Sequence, residues 1–231
     1  MKFRWFPVWV GFSVLAIVAV SLTFWDPNDV RHSILGLVAA VTGLLYTMFA
    51  GRGWLSCYVY GFINAPLYAY LSYRWGYYGD MALNLYYFVL MFPGYFCWKK
   101  NLSATDAGSI VRTRLSGRDR WIWSVRIAVA VLVFWVVLRA VGGNRPFCDA
   151  VTNVFSIVAI ILTVKRCIEQ WVLWLAVDAI EMFMWWHTNE SSFAILAMWT
   201  LFFVDGCYCF WLWLVEGGEY GKIRLEVEVG G

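Results

Sequence analysis

The sequence predicts an all-α polytopic membrane protein: seven core transmembrane helices in a three-plus-one-plus-three order, plus one extra N-terminal helix. Three observations predict it. The 231 residues are 62% hydrophobic and only 14% charged, with a mean hydropathy of +0.65. An ordinary soluble domain is about half apolar and about a quarter charged. The apolar residues gather in eight runs, each near the roughly 17–25 residues that a helix needs to cross a bilayer. When those runs are threaded back and forth, the Lys and Arg residues fall mostly on one side.

The first run, about 6–25, continues into "TFWDPND" with no small-x-small cleavage site, so it reads as a retained helix rather than a signal peptide. Three runs follow, at about 33–50, 54–73 and 79–98, joined by short turns. The segment 99–120 is basic and polar and reads as a flexible cytoplasmic loop. A single run, about 121–141, brings the chain back, and three more follow at about 149–165, 170–187 and 192–215. The expected divisions are 1–32 (N-terminal helix and loop), 33–98 (first three-helix bundle), 99–146 (basic loop and linker helix), 147–215 (second bundle) and 216–231 (cytoplasmic tail).

With the N-terminus in the cytoplasm, only Arg31, Arg74, Arg139 and Arg145 of the 18 basic residues lie outside. Both termini are therefore expected in the cytoplasm. The run 121–141 restores the starting side, so the two three-helix segments travel in the same directions. Parallel repeats of this kind place a transport site between them. A faint internal echo aligns Trp54, Asn64, Gly94 and Trp98 with Trp171, Glu181, Gly206 and Trp211.

A net charge of +3 gives no argument for nucleic acid. The six cysteines form no disulfide or metal framework. Cys57, Cys97, Cys207 and Cys209 lie in apolar runs and read as small buried hydrophobes.

The polar residues within the spans carry the functional argument. Positions i, i+4, i+7 and i+11 share a helix face. Such faces collect Trp174, Asp178, Glu181 and Trp185 on one run, and Asp80, Asn84, Tyr87, Met91 and Gly94 on another. Gly61, Asn64 and Tyr68 lie on a third, Asp149, Thr152, Asn153 and Ser156 on a fourth, and Asp205 on the last. An ionised side chain at the bilayer centre costs at least about 2.5–3.5 kcal/mol, so these stripes should meet in a shared interior.

Plainer readings stand beside that one. Asn64, Asn84, Thr152 and Ser156 also suit interhelical hydrogen bonding. Asp80 and Asp149 suit helix N-termini, where a carboxylate complements the dipole. Trp171 and Trp186 suit the interfacial belt, while Trp174 and Trp185 suit packing or stacking equally. Asp178, Glu181 and Asp205 have no Lys or Arg at mid-span to pair with. Unpaired carboxylates beside flat aromatic faces suit a planar cation.

Three stretches carry a family resemblance. "YGFINAPLYAYLSYRWGYYGDMALNLYYFVLMFPGYFCW" (60–98), "FCDAVTNVFSIVAIILTVKRCIEQWVLWLAVDAIEMFMWW" (147–186) and "FVDGCYCFW" (203–211) resemble the PnuC-type nicotinamide riboside transporters, over about 33–215. The motif run D-A-x-T…S…K-R…E-x-W-x-x-W…D is the most specific part. The resemblance implies a SWEET-like fold of two triple-helix bundles joined by a linker helix. It implies facilitated diffusion of nicotinamide riboside, a vitamin B3 form with a cationic pyridinium on a ribose, followed by trapping through cytoplasmic phosphorylation. It also implies a bacterial inner membrane and no cofactor or metal. Self-association, for example as a trimer, is compatible with it.

The candidate substrate-binding set is Asn64, Tyr68, Asn84, Tyr87, Thr152, Ser156, Trp174, Asp178, Glu181, Trp185 and Asp205. The chain has Asn84 where the family often has Gln, and Asp205 where a relative has Asn. Its Glu181 is more acidic than that position leads one to expect. Another flat cation such as thiamine, a proton- or sodium-coupled carrier, and a subunit served by an external ATPase are the alternatives. An intramembrane aspartyl protease is the remote one: "YYGD" (77–80) lacks the first glycine of G-x-G-D, and no Y-D occurs. No G-x-x-x-x-G-K-S/T is present for a primary pump.

Overall fold

The computed structural model describes residues 5–74, 77–102, 109–142, 145–187 and 193–220. Eight helices form there: α1 (Phe6–Leu22), α2 (Val30–Gly51), α3 (Cys57–Arg74), α4 (Tyr78–Lys100), α5 (Gly117–Ala140), α6 (Pro146–Val164), α7 (Gln170–Trp186) and α8 (Phe193–Tyr220). Each expected run is a helix. Five of the helices (α2, α4, α5, α6 and Leu196–Val215 of α8) are long and apolar enough to cross a membrane by length and composition, and α1 is a shorter apolar helix.

Local chemistry sets several boundaries. Asp29 accepts from His32 N and caps α2. Pro146 opens α6, where a missing N–H costs nothing. The start of α5 lies at Gly117, earlier than the apolar run suggests. Ser116 Oγ accepts from Asp119 N at 3.1 Å and donates to its carboxylate at 2.6 Å, a reciprocal cap. The turns after α2 and α6 each contain a residue with positive φ, Gly53 at 69° and Arg166 at 63°.

Six helices close a ring. α2 packs on α3, α3 on α4, α4 on α6, α6 on α7, α7 on α8, and α8 returns to α2. α1 lies against both α2 and α8, and α5 packs, among the described helices, along α6. α5 has no buried residue, and its Val129, Leu132, Val133 and Val136 are exposed. Such a surface would be a liability in water but is ordinary against acyl chains.

One end of the ring carries the α2–α3 and α6–α7 turns and the segment before α5; we call it the linker end. Its interior is filled by Met48, Tyr58, Met91, Trp98, Trp171 and Trp213, among others. Two buried indoles tie the ring across its seams. Trp98 Nε1 of α4 donates to Thr163 O of α6 at 2.8 Å, and Trp213 Nε1 of α8 donates to Ala50 O of α2 at 3.2 Å.

Several expectations change here. Trp171 is not a belt residue. It is 3% exposed and packs edge-on against Trp213, because the linker-end interior needs large apolar fillers. Trp186, 66% exposed, keeps a belt-like position. Cys207 is exposed on the outer face of α8, whereas Cys57 and Cys209 are buried. The loop 99–120 is not free throughout, since residues 109–116 are held by hydrogen bonds described below; 103–108 lie outside the described residues. The internal echo has a different register. Gly53 matches Arg166, Trp54 matches Cys167, and Trp98 matches Trp213 rather than Trp211. The last part of the expected tail, 221–231, lies outside the described residues.

Candidate substrate site

At the end opposite the linker, four helices of the ring turn polar side chains toward one another. Asp80 lies in the first turn of α4, and Asp149 lies in the first turn of α6. Neither caps its helix: the N-cap positions are Tyr77 and Arg145, which make no side-chain cap bond. Glu181, half-buried on α7, lies within electrostatic reach of both Asp80 and Asp149. Tyr68 of α3 lies within reach of Asp80 and Glu181. In the structural register, Tyr68 and Glu181 occupy matching positions on α3 and α7.

Deeper in the ring the lining becomes aromatic. The Tyr87 phenol of α4 lies near the Ser156 hydroxyl of α6. The Tyr87 ring meets Trp174 of α7 edge-on, with centroids 6.1 Å apart. α4 and α7 are not neighbours in the ring, so this pair reaches across its interior. Asp178, 8% exposed, faces the α7–α8 seam. A Cβ on Gly206 would lie 3.7 Å from its Oδ2 and 3.0 Å from Leu175, so glycine there leaves the carboxylate its space. Glu181 is also within reach of Asp178.

Several candidates serve their own helices or a neighbour. Asn84 Nδ2 donates to Asp80 O at 2.8 Å, and Thr152 Oγ1 donates to Asp149 O at 3.3 Å. Both sit one turn below the acids and are buried. Asn64 Nδ2 donates to Ala39 O of α2 at 2.7 Å, and its amide lies over Gly43. It therefore joins α3 to α2, as the interhelical reading has it. Trp185 is half-buried near the far end of α7.

Asp205 is placed elsewhere. Fully buried on α8, its Oδ1 accepts from Trp9 Nε1 at 3.0 Å and Ser13 Oγ at 3.1 Å, both on α1. A single sequence cannot show that the extra helix supplies these donors.

Among the described residues, no Lys or Arg forms an ion pair with Asp80, Asp149, Asp178 or Glu181. Arg145 lies within reach of Asp149, but its guanidinium donates to Met184 O at 2.6 Å and His187 O at 2.9 Å at the end of α7. Three carboxylates thus share one end of the ring with little compensating charge. Like charges in a low-dielectric setting repel strongly, so the arrangement favours a cation or protons. No group of His, Cys, Asp and Glu with metal-ligating geometry occurs among the described residues. Two surface cavities, of about 470 Å³ beside Trp135 and Arg139 and about 320 Å³ beside Trp9 and Tyr208, lie outside the ring and contain none of these residues. Sequence reasoning set Asp80 and Asp149 aside; their position one turn from each span start was the signal that could have joined them to Glu181.

Comparison with known proteins identifies the family. Residues 33–215 match the family described as nicotinamide mononucleotide transporter. The nicotinamide riboside transporter PnuC of Neisseria mucosa is 34% identical over 207 residues, covering 86% of this chain and 77% of the relative. That of Haemophilus influenzae is 29% identical, covering 90% of each. The crystal structure of the vitamin B3 transporter PnuC matches with a TM-score of 0.76 at 30% identity, covering 94% of each chain. The relatives are transporters and not enzymes. With five helices apolar and long enough to span a membrane, a ring that turns polar side chains inward at one end and this similarity along most of its length, the chain belongs to the PnuC family of membrane transporters.

Proposed function

We propose that the chain carries nicotinamide riboside down its gradient by alternating access, and that cytoplasmic phosphorylation then traps it. The observation that carries the reading is the group of Asp80, Asp149 and Glu181 beside Tyr68, with no ion-paired base among the described residues. A pyridinium ring supplies the missing positive charge, and the aromatic lining of Tyr87 and Trp174 supplies flat faces. The relatives are named for the riboside and the family for the mononucleotide. The charge favours the riboside, because a phosphate of about −1.5 to −2 would face three carboxylates. The same repulsion suits trapping, since the phosphorylated product fits the acidic end poorly.

Two three-helix units, 33–98 and 147–215, joined by 99–146, are the moving parts in this reading. The reciprocal Trp98–Thr163 and Trp213–Ala50 ties support it, since each joins the third helix of one unit to the first helix of the other. The linker end is cytoplasmic and the acidic end faces out, because most Lys and Arg residues lie at the linker end. The membrane is then the bacterial inner membrane. Asn64, Asn84, Thr152, Asp178 and Trp185 complete the lining by holding or flanking the contacting groups.

The test is counterflow in proteoliposomes without ATP, sodium or a pH gradient. Nicotinamide riboside should exchange, and the mononucleotide should exchange at least about tenfold more slowly. Equal rates would remove the electrostatic argument. Accumulation driven by an imposed proton gradient would replace facilitated diffusion with proton coupling. Thiamine, a flat cation that fits the same charge argument, belongs in the same panel.

A further inference from the structure

The motif residues Lys165, Arg166 and Glu169 have no part in the acidic site, yet they are thoroughly engaged. They hold residues 109–116, which cross the linker end between two matching turns. The α2–α3 turn places Gly53 at positive φ, and the α6–α7 turn places Arg166 there. The following bonds repeat as well. Trp54 N donates to Phe49 O and Cys167 N to Leu162 O, both at 2.9 Å; Cys57 N donates to Trp54 O and Gln170 N to Cys167 O.

The crossing segment bonds the same carbonyl in each turn. Ile110 N donates to Gly53 O at 2.9 Å, and Thr113 N donates to Arg166 O at 2.9 Å. The second attachment is reinforced. Ile168 N donates back to Thr113 O at 3.0 Å, Thr113 Oγ1 donates to Lys165 O at 2.8 Å, and Arg166 Nη1 donates to Val111 O at 2.7 Å. Leu115 N and Arg120 Nε both donate to the Glu169 carboxylate, at 3.2 and 3.0 Å. Between the turns, Arg112 reaches Arg52 O and Leu212 O, each at 3.4 Å, with its guanidinium 5.2 Å from the Trp213 ring centroid. Ser109, Ile110 and Thr113 are buried. Arg166 is the non-glycine residue with positive φ among those described, a conformation that surrounding bonds must hold in place.

We propose that residues 109–116 are a latch that fastens the two three-helix units at the linker-end mouth, and that opening this mouth requires release from one of the two turns. The inference rests on the transporter reading above. Both seams at this end, α2 with α8 and α4 with α6, must part if the units rock. A segment bonded to both units at matching points resists that motion. The second turn carries the reinforcing bonds, so the first is expected to release.

Disulfide pinning tests it. Thr113 Oγ1 lies 3.4 Å from Cys167 Sγ, so Thr113→Cys pairs with a native cysteine and pins the second turn. Trp54 and Ser109 are bridge partners, so Trp54→Cys with Ser109→Cys pins the first. Wild type under the same oxidant is the baseline. Oxidising the Thr113→Cys protein should leave riboside counterflow within about twofold of its reduced rate. Oxidising the triple variant should reduce it at least about tenfold, with recovery on adding reductant. Loss with either single pin also supports a latch and names the releasing turn. A full rate with both disulfides formed overturns it, as does a loss that reductant cannot reverse.

A second measurement needs no substrate. Cys57, fully buried beneath the latch, should react with a maleimide several-fold faster in Glu169→Ala and more slowly in the doubly pinned protein. Unchanged labelling in both overturns the latch. Failure of wild-type counterflow alone would instead count against the riboside reading.

Discussion

At the scale of single residues, the structure separates carboxylates that the sequence presents alike. Glu181 shares the field of Asp80 and Asp149, whereas Asp205 is bonded to Trp9 and Ser13 of α1. Glu181→Gln is expected to weaken binding of the cationic riboside by about 1–3 kcal/mol, the range for a hydrogen bond to a charged group. A neutral nucleoside of similar shape should lose much less; titration calorimetry on both ligands checks this. Asp205 predicts the opposite pattern. Asparagine retains an oxygen for both donors, so Asp205→Asn should leave riboside affinity within about twofold. Asp205→Ala strands the indole N–H and the hydroxyl and should lower stability by about 1–3 kcal/mol, read by thermal unfolding in detergent. Asp205→Asn weakening the riboside as much as Glu181→Gln would return Asp205 to the site. The acids were legible as unusual from composition alone. Which of them meet was not, because helix rotation depends on neighbours from distant parts of the chain.

At the scale of elements, the seam between α2 and α8 depends on a small residue. A Cβ on Gly51 would collide with Cys209 Sγ and come within 3.3 Å of its Cα. Gly51→Ala is expected to cost about 1–3 kcal/mol by overpacking. Adding Cys209→Ala removes the sulfur and should restore part of the loss, a coupling that a double-mutant cycle measures. Additive losses would show that the two helices can separate freely. The helices themselves were legible, because each depends on an apolar run and local caps. The register of the internal repeat was not. Its true markers are backbone features, a positive φ at Gly53 and Arg166 and matching turn hydrogen bonds, and the unlike side chains at those positions hide the match.

At the scale of the whole molecule, a reporter fused after Arg118 and another at the C-terminus should both report cytoplasm, since only Arg31, Arg74, Arg139 and Arg145 of 18 basic residues fall on the other side. A periplasmic signal from either would invert the acidic end and the latch together. The sequence by itself determined that the protein lives in a membrane, where its helices lie and which residues are too polar for lipid. Those properties follow from local composition and from the cost of burying a charge in hydrocarbon. Only the tertiary structure decided that six helices form the ring, that Asp80 and Asp149 join Glu181, that Asp205 fastens α1, and that a nominally loose loop spans both turns of the linker end. Each of these depends on contacts between segments far apart in the chain. Hydropathy and periodicity describe one helix at a time and carry no information about which faces meet.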